Sequence, residues 1–184
     1  AYEKTAVTES YPPNLELCEN ELAPLGVVVA ACEPEHEPLP FPDARFDIVL
    51  NRHGSYDAKE VFRVLKPGGV FVTQQVGGRN NTLLSGRLLP DYEPPCPEHD
   101  LVRESAKFAR AGFVLLEKKE YFPKLRFFDV GALVYFARVV EWEFPGFSTN
   151  ACRAELFSLQ REVEERGALE SLEHRFLIVA RRPR

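Results

Sequence analysis

The chain of 184 residues predicts an α/β domain whose mostly parallel sheet is covered by helices on both faces. Two observations carry that expectation. Short β-branched apolar runs alternate with longer segments whose apolar residues recur three or four apart, and such alternation builds parallel strands buried on both sides. Glycine and proline stand between these runs, where helix ends and turns require them. Composition agrees: 45% hydrophobic and 28% charged residues describe a globular protein rather than a disordered, collagenous or coiled-coil chain. At ~150 residues per domain, residues 1–184 read as a single domain.

Thr5 to Thr8 read as a short strand ending at Glu9. Pro12-Pro13 suits a helix start, where a missing N–H costs nothing. Leu15, Cys18, Leu22 and Leu25 follow at helical spacing, and Gly26 fits a helix end. Val27–Ala31 is a second strand, and the proline-rich stretch Pro34–Pro42 cannot be helix interior. Phe46–Leu50 predicts a third strand and Ala58–Leu65 a helix ended by Lys66-Pro67-Gly68-Gly69. Val70–Gln74 predicts the fourth strand.

Residues 77–97 are turn-rich. Glu98–Ala111 predicts a helix with Leu101, Ser105 and Phe108 in phase, and Phe113–Lys119 a fifth strand. Phe127–Val140 is apolar on most sides, so a helix there would be largely covered. Ser148, Thr149 or Asn150 can cap a helix running to Arg166 and stopped by Gly167. Leu156, Leu159 and Val163 form its expected inner face. Arg175–Ala180 closes the domain as a sixth strand.

A net charge of -5 excludes a global cationic field that would draw the chain to nucleic acid or membrane. Cys18, Cys32, Cys96 and Cys152 are scattered with no close pairs, so the expectation is reduced thiols in a cytoplasmic protein and no metal site. No apolar run approaches the ~18 residues of a membrane span, and no signal peptide is visible. The 15 prolines are many for this length, and the absence of methionine, even at position 1, gives the expectation that Ala1 is not the start of the intact protein.

Two ordered segments sharpen the functional expectation. Leu39-Pro40-Phe41-Pro42-Asp43-Ala44-Arg45-Phe46-Asp47-Ile48-Val49-Leu50 is followed by Glu60-Val61-Phe62-Arg63-Val64-Leu65-Lys66-Pro67-Gly68-Gly69-Val70-Phe71. In this order and spacing they resemble a class I S-adenosylmethionine-dependent methyltransferase. The resemblance covers roughly residues 5–120 and implies a Rossmann-like three-layer sandwich. It further implies an antiparallel last strand and a helical insertion, residues 121–167, before it. It also implies S-adenosylmethionine as methyl donor and S-adenosylhomocysteine as product.

Residues at the carboxyl ends of the strands follow from the resemblance, because parallel α/β sheets bind ligands there. Glu9 takes the family's acidic position for the ribose hydroxyls, with Ser10 and Tyr11 near the adenine. Glu35 and His36 fall where the family contacts the adenine amine, with Glu33 as a competitor. Asn51 and Arg52 lie where the methionine end meets the acceptor, and His53 is the candidate general base. Gln74, Gln75 and Tyr56 could orient an acceptor, or could be ordinary strand-end polar groups.

The expected acceptor is a small molecule. The alternatives are RNA, because Gly77-Gly78-Arg79-Asn80-Asn81 is similar to a loop of ribosomal RNA guanine methyltransferases, and a non-catalytic methyltransferase-like binding domain. The aromatic insertion 121–167 reads either as extra core or as a lid over an apolar acceptor pocket. The family's glycine-rich loop, its first strand and its first helix have no counterpart here. The expectation is therefore an N-terminally incomplete domain, whose sheet would carry two unpaired interior edges.

Overall fold

The computed structural model describes residues 4–184. It is a mixed α/β fold with six α-helices among the described residues. The strands are β1 (Ala6–Glu9), β2 (Val28–Ala31), β3 (Phe46–Arg52), β4 (Leu65–Val76), β5 (Val114–Tyr121), β6 (Lys124–Phe127), β7 (Leu169–Leu172) and β8 (Arg175–Arg181). The helices are α1 (Pro12–Glu21), α2 (Ala58–Val64), α3 (Thr82–Leu88), α4 (Leu101–Arg110), α5 (Val130–Val139) and α6 (Arg153–Arg166). Strands β1 and β2 pair in parallel, Ala6 opposite Val28 through Glu9 opposite Ala31. A four-stranded sheet has the order β3-β4-β8-β5, and β6 pairs with β7. The residues fall into two compact units: the stretch up to Thr73 with 107–116 and 179–184, and residues 74–106 with 117–178.

In the first unit, sequence punctuation translates directly into structure. Pro12 and Pro13 open α1, as expected. The helix stops at Glu21, however, and residues 23–25 form a separate 3-10 turn ending at Gly26, whose φ is 88°. None of the α1 residues is buried, so the helical spacing of Leu15 and Cys18 does not build a core. Helix α2 is capped by Asp57, whose carboxylate accepts from the Lys59 and Glu60 amides at 2.6 and 3.0 Å. That satisfies two of the amides a helix start leaves orphaned.

The two signature segments hold one another. The Arg63 guanidinium donates to the main-chain carbonyls of Leu39 (2.9 Å) and Phe41 (2.7 Å). It also donates to Glu60 and Asp43. Glu60 in turn accepts from the Leu39 amide at 2.9 Å. The proline-rich loop has few main-chain partners of its own, so Arg63 supplies them. The Lys66–Gly69 segment, expected as a turn before a strand starting at Val70, is already part of β4. The reason is a bulge. Gly68 (φ 83°) donates to the Arg182 carbonyl, and the Arg182 amide donates to the Gly69 carbonyl, the pattern in which a left-handed glycine lets two residues oppose one across an antiparallel pair.

Aromatic rings fill the space beneath. Tyr56, Phe71 and Phe108 lie mutually 5.4–5.5 Å apart between centroids, and Phe62 meets Phe113 edge-on at 5.1 Å.

The second unit departs more from expectation. The turn-rich stretch contains helix α3, because Leu84 and Leu88, four apart, are buried in this unit's core. The insertion is not purely helical: it begins with β6, paired antiparallel with β7, Lys124 opposite Leu172 and Phe127 opposite Leu169. β6 alternates polar and apolar residues, and β7, Leu-Glu-Ser-Leu, alternates only in burial; four positions are too short a run to stand out in sequence. The final strand is therefore the eighth, not the sixth. Helix α5 is not largely covered. Leu133 and Ala137 face the core, while Tyr135 is 73% and Trp142, just beyond the helix, 65% exposed. Helix α6 starts at Arg153; Ser148 accepts from the Ala151 amide rather than capping the helix itself. Gly167, at φ 81°, ends it as expected. Leu159 and Val163 are its buried residues, and the expected third, Leu156, is only partly buried.

A polar knot fastens this unit. Asn80 and Asn81 both donate to Glu143, at 2.6 and 2.7 Å. The Asn80 side-chain oxygen accepts from the His174 amide and from Arg175. His174 is fully buried. Its Nδ1 accepts the Arg79 amide at 3.1 Å, its Nε2 faces Glu120 at 2.9 Å, and its ring stacks on Phe122.

These partners require the neutral ring with the proton on Nε2. Burial, opposed by Glu120, holds its pKa below the usual histidine value. The unfolded chain therefore binds this proton more readily than the folded one. Its contribution to stability is complete above about pH 6.5 and is lost as pH falls from there toward the folded value. The melting temperature is expected to fall over this window, and His174→Gln should flatten that slope. An unchanged slope in the variant would exclude His174 as its source.

Candidate functional site

In the first unit, β1 and β3 flank a cavity of about 690 Å³. Its lining runs from Lys4 through Ser10, then Cys32, Pro34, Leu39 and Phe41, and along β3 to Arg52, Gly54 and Ser55. The apolar part comes from the loop that Arg63 clamps. Cys32 is buried, and burial, with Glu37 and Glu60 nearby, pushes its thiol pKa up. The group is therefore a neutral wall rather than a nucleophile.

Glu9 ends β1 at this cavity. One carboxylate oxygen accepts from the Ser10 and Tyr11 amides at 2.8 and 2.9 Å, and the other from Asn14 at 3.2 Å. The Tyr11 amide, set against some desolvation and helped by Asn14 and Ser10, lowers its pKa. The carboxylate is thus ionised and fixed in direction by the start of α1, where negative charge is favoured. Three of roughly four acceptor positions are used. A signal for this was present in the sequence: a glutamate just ahead of a Pro-Pro helix start.

Asn51 also lines the cavity. Its side-chain oxygen accepts from the Thr73 hydroxyl at 3.0 Å, and its nitrogen donates to the Ser55 carbonyl at 3.3 Å. Sequence reasoning missed Thr73, Gly54 and Ser55. Ser10 and Arg52 are exposed lining residues. Tyr11 is the N-cap residue of α1 and is exposed. Glu35 and His36 are exposed on the turn after β2, whose contribution to the lining is Cys32 and Pro34. His53 lies one residue beyond β3 with φ 59°, a left-handed conformation that histidine adopts more readily than most residues other than glycine. Tyr56 is committed to the ring cluster with Phe71 and Phe108. No group of three or more metal-binding side chains occurs among the described residues, and none of their helices is long and apolar enough to cross a membrane.

Residues 2–73 match the family described as methyltransferase domain. No curated protein matches the chain. Solved structures do. A Bacillus halodurans protein assigned as a methyltransferase is 18% identical, with TM-score 0.60 over 97% of this chain and 83% of that one. The YcgJ protein from Bacillus subtilis is 16% identical, with TM-score 0.61 over 97% and 82%. A Galdieria sulphuraria protein assigned as a sarcosine dimethylglycine methyltransferase is 17% identical, with TM-score 0.51 over 97% and 69%. Residues 2–73 are thus similar to a methyltransferase domain, and the solved structures share the fold of the chain.

Proposed function

We propose that this domain binds S-adenosylmethionine at the carboxyl ends of β1 and β3 and methylates a small-molecule acceptor. The observation that carries the reading is Glu9: an ionised carboxylate, held by three donors, at the end of a strand lining the cavity. When bound, the cofactor supplies a methyl group on an already activated sulfonium. The protein therefore needs to align the partners and exclude water more than to provide acid–base power. Glu9 accepts from a ribose hydroxyl through its remaining acceptor position, and Ser10 lies beside it. Pro34, Leu39 and Phe41 give apolar cover for a base, with Glu35 and His36 on the same loop edge. Asn51, held by Thr73, and Arg52 face the other end. His53 takes the acceptor proton where the acceptor is an N–H or O–H group.

A small acceptor is favoured over RNA by the net charge of -5. The antiparallel last strand belongs to the same proposal, supported by the Gly68–Gly69 bulge against Arg182.

Calorimetric titration with S-adenosylmethionine tests the reading. Glu9→Gln keeps an amide oxygen for the α1 amides but loses the charge. Affinity should fall about 10- to 100-fold, or about 1–3 kcal/mol for a lost charge-assisted bond. Unchanged affinity would remove Glu9 from the site.

A further inference from the structure

Helix α6 carries a second face besides its core stripe. Leu159 and Val163 are buried. Arg153, Leu156, Phe157 and Gln160 follow at the i, i+3, i+4 and i+7 spacing that aligns residues along one side of a helix. These four line a cavity of about 350 Å³, completed by Thr149 and Asn150 ahead of the helix and by Val130 at the start of α5. The volume falls at the small end of the ~300–1,000 Å³ of ligand cavities. All seven lining residues belong to the second unit, and none of them lines the cavity of Glu9.

The chemistry of this cavity is one-sided. Val130, Leu156 and Phe157 give an apolar wall, and Phe157 is 59% exposed. Thr149, Asn150 and Gln160 supply neutral donors and acceptors. Arg153 is the one charged residue in the lining, and among the described residues no carboxylate lines the cavity. Other arginines of this unit pair with carboxylates, Arg87 and Arg166 with Glu162 and Arg175 with Glu173. The Arg153 guanidinium instead lies 5.7 Å from the centroid of the Phe157 ring, within cation–π range. A ring does not take the place of an oxygen acceptor for its five N–H donors.

We infer that this cavity is a binding site for a small monocarboxylate with an apolar, aromatic body. One guanidinium balances one carboxylate and matches its two oxygens side by side. The ring of such a ligand covers the apolar wall, offset against Phe157. Inorganic phosphate would bring more charge than one cation balances and nothing for that wall. The inference stands apart from the methyl-transfer reading and holds whether or not the cavity of Glu9 takes S-adenosylmethionine.

The test is a titration of the 184-residue chain with phenylacetate, followed through backbone amide chemical shifts. Saturable shifts are expected in 149–160 and at Val130, with 6–9 and 46–52 unmoved. Phenylacetamide keeps the shape and loses the charge; acetate keeps the charge and loses the ring. Each should bind about tenfold more weakly. Arg153→Gln, at an exposed position, should weaken phenylacetate about tenfold and leave phenylacetamide unchanged. Phe157→Ala should weaken both, and the amide spectrum away from 149–160 shows that each variant remains folded.

Equal binding of phenylacetamide would reduce the site to an apolar patch, and equal binding of acetate would reduce it to the positive start of a helix; either overturns the inference. So would the absence of saturable shifts in 149–160, or an Arg153→Gln variant that binds phenylacetate as before. Shifts of the same residues on raising the protein concentration without ligand would overturn it by assigning this face to a second copy of the chain.

Discussion

Gly77→Ala is expected to be strongly damaging in the second unit. A Cβ built at Gly77 falls 2.1 Å from Nδ1 of His174 and 2.2 Å from its Cε1. The imidazole cannot step aside. It is fully buried, stacked on Phe122, and bonded to the Arg79 amide and to Glu120. Overpacking costs about 1–3 kcal/mol, and each buried polar group left without its partner about 1–3 more, so the loss should be about 4 kcal/mol. That is a large share of a domain's typical stability. Gly86→Ala is the control: its nearest neighbour is Tyr92 at 4.0 Å, and replacing a helical glycine should be neutral or stabilise by up to about 1 kcal/mol. Urea unfolding of both variants checks the pair, and similar midpoints would show that the His174 knot yields readily.

That knot also marks where the sequence stops being legible. Asn80 and His174 are 94 residues apart, and nothing local announces that an Asn-Asn pair will gather Glu143, Arg175 and a buried histidine. Strands β6 and β7 were hidden for a related reason: four-residue segments acquire meaning as strands only when each has the other to pair with. By contrast, Gly167 and Pro12-Pro13 were readable, because φ restriction acts within a few residues.

The site lies between these extremes. Glu9, Ser10, Asn51 and Arg52 reach the cavity lining, as a strand-end rule would have them. Glu35 and His36 stay on an exposed turn, since proline-rich loops have no periodicity from which to read direction. Tyr56 is absorbed by the ring cluster. A single residue type in sequence does not say whether a ring will line a cavity or fill a core.

Arg63→Ala is the largest expected effect in the first unit, and it links stability to the site. Arg63 bridges the Leu39 and Phe41 carbonyls to Glu60, and both loop residues line the cavity. Arg63 and Glu60 are mostly covered, whereas Asp43 is largely exposed, so the Asp43 pair adds little. Removing the guanidinium leaves two carbonyls short of a donor. It also strands a carboxylate whose pKa is lowered chiefly by its bond to Arg63. Breaking a covered pair from one side costs about 3 kcal/mol, and that is the expected loss in urea unfolding.

Arg63→Lys should recover less than half, because one ammonium cannot span the carbonyls and carboxylate that the planar fork reaches together. A cycle with Glu60→Gln should return a coupling of about 1–3 kcal/mol; additivity would dissolve the clamp. Loop 39–43 would lose its anchor in both Arg63 variants. Cofactor affinity should therefore fall in them at temperatures where the chain is still folded, which a purely global loss of stability would not produce.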